Sequence, residues 1–214
     1  MKPAASPTGK TAFAQLKEQE KATRRRLIIE AAQRVFAAKP FGKVSMREIA
    51  NEANISAPSI YTYFPDQETL FVEAALTGIQ AMIEEFAEAV KGERNARLEE
   101  VAEIFIRYLS EHDVYFRMMA HFVLHMQLTS ESLERLTIAE RKVLDIFALA
   151  LRRSEVKGNV RLLSHAFFAT LNGILITFRR YPGRTEKEVL DHMMRLSRIV
   201  CELFASAKGE PERS

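Results

Sequence analysis

The sequence predicts an all-α protein of about nine helices, and three observations lead there. Only 8 Gly and 7 Pro occur in 214 residues, so turn-makers are sparse. Apolar residues recur at three- and four-residue spacing through most of the chain, the period of a helix with one buried face. Ser or Thr followed three residues later by Glu recurs just before such runs, the signature of a capped helix start. At 47% apolar, with 14 Phe and 5 Tyr, the chain can bury a sizeable core, which excludes a disordered polymer.

The opening MKPAASPTGKTAFAQLKEQEK has no apolar run of the kind a secretory signal needs and reads as a loose basic arm over residues 1–20. A first helix is expected from about Thr23, with Leu27, Ile28, Ala31, Ala32, Val35 and Phe36 on one apolar face and Arg24, Arg25, Arg26 and Arg34 left for other faces. Pro40 and Gly42 end it. Ser45 and Glu48 form a capping-box pattern before a short helix over 46–52. Asn54 stands where the chain must turn sharply, and Asn tolerates a left-handed backbone better than most residues. Ile55 follows as a core plug. Ser56 caps a third helix, Ala57 to Phe64, with Pro58 in its first turn, where a missing amide proton does little harm.

Pro65 and Asp66 open a long fourth helix to about Val90, with Leu70, Phe71, Ala74, Ala75, Ile79, Met82, Ile83 and Phe86 as its apolar stripe, and KGERN at 91–95 breaks it. Further helices are expected over about 96–110, 113–128, 130–154, 162–180 and 186–207, the last after a YPGR turn and a Thr185/Glu188 capping box. Residues 162 to 178 are uncharged, but Ser164, His165, Thr170, Asn172 and Thr177 interrupt them. A membrane span needs about 20 mainly apolar residues, so a buried helix is expected and no membrane partner. The organisation that follows is a helix-turn-helix domain over 21–66, a helical domain over 67–207 and a frayed tail over 208–214.

Charge is uneven. Residues 1–65 carry 11 Lys/Arg against 5 Asp/Glu, while residues 66–214 carry 20 against 23. A basic end is either a solvated surface or an attraction to a polyanion such as DNA, whose condensed counterions are released on binding. The single Cys201 excludes a disulfide scaffold and the usual structural zinc spacings, and fits a reducing cytoplasm. Nucleophile elbow, phosphate loop and HExxH motif are all missing, so neither an enzyme nor a cofactor is expected.

The informative stretch is 44–64: capping box, two-turn helix, Asn turn, Ser cap, then a second short helix ending in Tyr61-x-Tyr63-Phe64. Two short helices joined this tightly must cross steeply, the geometry of a helix-turn-helix whose second helix can enter a major groove. Ser56, Ser59, Thr62 and Tyr63 offer short or planar hydrogen-bonding groups suited to phosphates and base edges.

Residues 24–75, RRRLIIEAAQRVFAAKPFGKVSMREIANEANISAPSIYTYFPDQETLFVEAA, resemble the DNA-binding domain of the TetR family of bacterial transcriptional regulators. The resemblance implies that Arg47 reaches a base edge, that Ala57, Pro58, Ser59 and Thr62 are exposed recognition positions, and that Ser45, Tyr61 and Tyr63 touch phosphates. Ile49, Ala50, Ala53, Ile55, Ile60 and Phe64 match the family's three-helix core. The family often has Gly at the place of Asn54 and before Phe41, where Pro40 stands here, and Lys at the place of Gln67. Gln67 takes a phosphate-facing position without its charge, so affinity leans on the basic residues Lys10, Lys17, Lys21 and Arg24 to Arg26.

Beyond residue 75 the resemblance implies a bundle that binds a small-molecule effector and forms a homodimer through its last two long helices. In 162–180, Ala166, Ala169, Thr170 and Gly173 make a small-residue stripe, with Phe167, Phe168, Leu171, Ile174 and Leu175 around the rest. In 186–207, Val189, Met193, Leu196, Ile199, Val200, Leu203 and Phe204 offer a partner surface. Phe105, Tyr108, Phe116, Met119, Phe122, Met126, Phe147, Phe168 and Asn172 lie on helices the family uses to line its cavity, a composition suited to an apolar or aromatic compound, though each also fits a plain core. His121 and His125 share a helix face as a metal pair would, without the further ligands a metal needs. Double-stranded DNA, an effector and a second copy are the expected partners. Two readings stay open beside this one: an enzyme using His112, His121, His125 or His165, and a DNA-bound regulator with a solid bundle and no effector.

Overall fold

The computed structural model describes residues 8–91, 97–125 and 128–206, with side chains for 12–89, 97–122 and 128–206. Among them are nine α-helices, a short 3-10 turn at Phe41–Lys43 and no strand. The helices are α1 (Thr8–Ala38), α2 (Met46–Glu52), α3 (Ala57–Ile60), α4 (Gln67–Lys91), α5 (Leu98–Glu111), α6 (Asp113–His125), α7 (Ser130–Arg153), α8 (Val160–Phe178) and α9 (Glu186–Ser206). The expected KGERN break, Met126 and the tail over 208–214 lie outside the described residues.

The chain forms two compact units, residues 1–74 and 75–214, with the boundary inside α4. In the first unit α1 packs on α2 and α2 on α3. Ile28, Ala31, Ala32, Val35 and Phe36 of α1 are buried with Ile49, Ala50, Ile60, Phe64, Leu70 and Phe71. The ring of Phe71 sits edge-on between Phe36 and Phe41, 4.7 and 4.6 Å away. Leu27 departs from the expected face and is exposed. So does the expected loose arm over 1–20: the chain is helical from Thr8 onward and runs unbroken into the helix expected at Thr23. From Lys10 to Ala38 the sequence has neither Gly nor Pro, and strong helix formers with a Glu20–Arg24 pair at i, i+4 carry the helix through.

In the second unit α7 packs on α8 and α5 on α9, with α5 also against α6, α7 and α8. Phe147 is the hub. Its ring lies 5.5 Å from Phe105, 5.4 Å from Phe167 and 6.1 Å from Phe86, mostly edge to face, the arrangement the ring quadrupole favours. α7 ends in a Schellman motif: Val156 N–H donates to Leu151 O, Glu155 N–H to Arg152 O, and Glu155 takes φ +55°. α8 is long and apolar enough by length and composition to cross a membrane, yet Phe167, Leu171 and Leu175 are buried in the core that α5, α7 and α9 share. The expectation that α8 is buried all round is not met within one chain. Leu162 and Ile176 are 66% and 62% exposed, and Ala166, Ala169 and Gly173 are exposed with them.

Candidate nucleic-acid interface

The turn between α2 and α3 is built as the sequence suggests. Asn54 has φ +55°, Ile55 N–H donates to Ala50 O and Asn54 N–H to Asn51 O, a Schellman motif that satisfies the last carbonyls of α2. Ile49, Ala50, Ile60 and Phe64 are buried beneath it, whereas Ala53 and Ile55, expected in the core, are only partly buried.

Ser45 caps α2, its Oγ accepting from Glu48 N–H at 3.2 Å. The reciprocal half of the expected box is replaced, because the Glu48 carboxylate pairs with Lys39. Ser56 caps α3 by accepting from Ser59 N–H, and the two hydroxyls lie 2.6 Å apart. α3 proper stops at Ile60 rather than Phe64. Thr62 N–H donates to Ser59 O and Tyr63 N–H to Ile60 O, so the chain tightens into three-residue turns. Pro65 supplies the reason, since the residue before a proline is steered out of the α region.

Arg47, Pro58, Ser59, Tyr61 and Thr62 are exposed on this unit, with Ala57 and Tyr63 partly so. Arg47 forms no ion pair among the described residues. The cations nearby are differently placed: Arg34 is held by Glu52 at 2.6 Å, Arg26 by Glu30 at 2.6 Å and Lys39 by Glu48. The Arg24 guanidinium is held charged first by the neighbouring Tyr63 side chain and then by Glu20. Lys17 and Lys21 are exposed, and the side chain of Lys10 lies outside the described residues. Gln67 turns inward, its amide donating to Phe41 O at 3.2 Å. That carbonyl belongs to the 3-10 turn, so the missing lysine charge is replaced by a structural hydrogen bond.

Sequence reasoning misses Arg25. It donates to Tyr63 O at 2.6 Å and to Glu73 at 3.1 Å, and its guanidinium lies 4.4 Å from the Phe64 ring centre. This one side chain ties α1 to the end of the recognition segment and to α4. Its spacing before Ile28 and Ala32, three and seven residues on, borders their buried face, but Arg24 stands four and seven residues before Ile28 and Ala31, so the sequence does not single Arg25 out.

A family model described as bacterial regulatory proteins, tetR family, matches residues 28–74, the span that holds α1's core face, α2, the Asn54 turn, α3 and the start of α4. Over these residues the chain is a TetR-family sequence. A curated relative from Bacillus subtilis, the uncharacterised HTH-type transcriptional regulator YuxN, is 44% identical over 57 residues, which are 27% of this chain and 18% of that relative. The likeness in sequence therefore covers under a fifth of the relative's length. Solved TetR-like structures match far more. The transcriptional regulator FadR from Bacillus subtilis, in complex with stearoyl-CoA, aligns with a TM-score of 0.67 at 21% identity, covering 85% of this chain and 97% of that one. A protein described as a transcriptional regulator from Saccharomonospora viridis, in complex with choline, aligns with a TM-score of 0.71 at 17% identity over 85% and 96%. At such identities these two share the fold.

The expected effector residues divide. Phe105, Tyr108, Phe116 and Phe147 are buried, while Met119, Phe122, Phe168 and Asn172 are partly buried; Met126 lies outside the described residues. Phe105, Phe147 and Phe168 meet ring to ring, at 5.5 to 6.2 Å, so these three fill space between α5, α7 and α8. Asn172 donates to Phe168 O on its own helix, and the Tyr108 hydroxyl donates to Gly78 O at 2.9 Å. Two grooves lie elsewhere, one of about 470 Å3 beside Arg107, Leu190, Met194 and Arg198, the other of about 250 Å3 beside Ala89, Glu100 and Ile104. Among the described residues no group of three His, Cys, Asp or Glu side chains could hold a metal.

Proposed function

We propose that this TetR-family chain is a dimeric, effector-responsive DNA-binding regulator, a repressor that reads a near-palindromic operator and leaves it when a small apolar or aromatic compound binds. The observation that carries the reading is the exposed edge of the helix-turn-helix: Arg47 without an ion pair beside exposed Pro58, Ser59, Tyr61 and Thr62, over a buried α1–α3 core. In this reading Arg47 reads a guanine edge, Ala57, Pro58, Ser59 and Thr62 face the groove, and Ser45, Tyr61 and the Arg24–Tyr63 pair hold phosphates. Gln67 serves DNA binding only indirectly, by fixing the 3-10 turn.

Dimerisation is supported by the exposed Leu162, Ala166, Ala169, Gly173 and Ile176 of α8 and the exposed Ile199 and Leu203 of α9, an apolar surface on the two helices that close the chain. Paired across a twofold axis, two recognition segments about 34–36 Å apart read successive major grooves. An effector is supported by the stearoyl-CoA and choline complexes of two structural neighbours. Its binding shifts the population of bundle geometries, and α4, which runs from Gln67 to Lys91, carries the shift to the DNA-binding unit. Such a regulator works in the cytoplasm, where the DNA is. The dense Phe105/Phe147/Phe168 packing favours a second reading at one point only, a bundle without an effector that acts by occupancy.

Selection of bound sequences from a random duplex library at one fixed salt concentration tests the proposal. A palindrome is the expected product, and recovery of nothing above random sequence would refute specific reading. On the selected operator, Arg47→Ala should cost about 1–3 kcal/mol and flatten base preference at one position. Tyr63→Phe should weaken operator and random DNA alike. Equal loss on both DNAs for Arg47→Ala would remove it from base readout.

A further inference from the structure

α6 begins at Asp113, and three guanidiniums surround its carboxylate: Arg179 in direct contact, Arg117 at 3.6 Å and Arg180 at 3.9 Å. Arg179 and Arg180 alone outnumber the one carboxylate they share. Arg179 is the unusual member, because its side chain is only 11% exposed. Its Nη2 donates to Leu109 O at 3.4 Å as well as meeting Asp113, and the Phe116 ring centre lies 4.2 Å from its Cζ. Its Nη1 is buried with no hydrogen-bond partner, the one side-chain nitrogen or oxygen among the described residues left so. Native proteins rarely leave a buried donor unpaired, and a charged one is the costliest to leave.

We propose that this cluster binds the carboxylate of a small molecule, with the unused Nη1 edge of Arg179 as donor, Arg180 supplying further charge, and an apolar or aromatic body packed beside Phe116. The site deepens the effector reading above and rests on it. A guanidinium fork matches a carboxylate in plane and spacing, which an ammonium does not. Burial lowers the Arg179 pKa more strongly than Asp113 raises it, so the surroundings are poorly hydrated. Poor hydration disfavours a dianion such as phosphate, whose second charge would also have to be stripped of water. Asp113, 41% exposed, and Arg180, 76% exposed, are the solvent side of the cluster, so a ligand reaches the buried guanidinium by moving the Asp113 carboxylate aside. Asp113 is thus both the resident anion and the competitor an incoming carboxylate must displace or share with.

Calorimetric titration of the full chain, without DNA, tests this with benzoate and octanoate, each against its primary amide, and with inorganic phosphate. At least one carboxylate should bind saturably and its amide about tenfold or more weakly, the discrimination a charge-assisted hydrogen bond supplies. Arg179→Lys, shown folded by circular dichroism, should weaken the carboxylate about tenfold, since the fork is lost. Asp113→Asn should tighten it several-fold, a gain that a merely structural role for Asp113 would not produce. Equal binding of acid and amide, no saturable binding by either acid, or phosphate binding tighter than both would each overturn the site. If Arg179→Lys fails to fold, Asp113→Asn decides alone, and no tightening overturns the proposal. A carboxylate that binds but leaves the protein on its operator would refute the effector reading and spare the site. Release by a neutral compound, equal in wild type and Arg179→Lys, would do the reverse.

Discussion

Single side chains carry more structure here than their residue types announce. Arg25 sits among three consecutive arginines, and nothing in that run distinguishes it from Arg24 or Arg26, which pair with glutamates on their own helix. Phase does not either, since Arg24 lies four and seven residues before the buried Ile28 and Ala31, and phase cannot reveal a carbonyl 38 residues away at Tyr63. Cys201 is the opposite case, since its apolar neighbours Val200 and Leu203 already mark it as a packing residue. Burial, with Glu99 and Glu103 adding to it, pushes the thiol up to about 12. Its thiolate is therefore scarce until pH rises through that value. Iodoacetamide at pH 8 should leave Cys201 unmodified in the folded chain and label it in urea, as read by intact mass; rapid labelling of the native protein would contradict this burial.

At the scale of elements, local chemistry decides what could be foreseen. Asn54 and Glu155 take the same left-handed φ of +55° in the same Schellman geometry, at the ends of α2 and α7. The first is legible because Asn is a residue that visits this region, and the second is not, because Glu announces nothing of the kind. Glu155 is exposed, so its conformation is a cost without a contact to offset it. Glu155→Gly should raise stability by about 1 kcal/mol, the strain a Cβ adds in this region, and lift the thermal midpoint by a few degrees. A lower midpoint would mean the side chain has a role its exposure hides. The N-terminal extension of α1 escapes notice for another reason: Pro3, Pro7 and Gly9 suggest punctuation, while the Gln, Lys, Glu and Ala that follow carry the helix.

For the molecule as a whole, helix number and order follow from period and caps, and the residues proposed to face DNA are assigned from the family resemblance. The proposed effector site does not, because an aromatic that lines a cavity and one that fills a core have the same spacing and the same chemistry. Phe105 and Phe147 prove to be hub residues, while Arg179, the side chain with an unused donor, sits one residue past the end of α8 where no motif points. Assembly can be tested through Gly173, where an added Cβ would meet nothing within 4 Å in its own chain. Gly173→Leu should thus leave the protomer folded and shift the solution mass from about twice 24.4 kDa toward 24.4 kDa, measured by light scattering. A dimer unaffected by leucine at this point would place the interface elsewhere.

Gly78 adds a mechanical property to α4. The Tyr115 ring of α6 lies 2.3 Å from where a Cβ at Gly78 would be, so the ring occupies a notch one residue wide. The residues one turn away on the same face, Ala75 and Ala81, both carry the Cβ the notch lacks. Sliding α4 past α6 by one turn, about 5.4 Å, would carry one of those Cβ atoms into the ring. The contact therefore works as a detent: it holds α4 at one setting against small disturbances, and lets go only when Tyr115 itself turns out of the way.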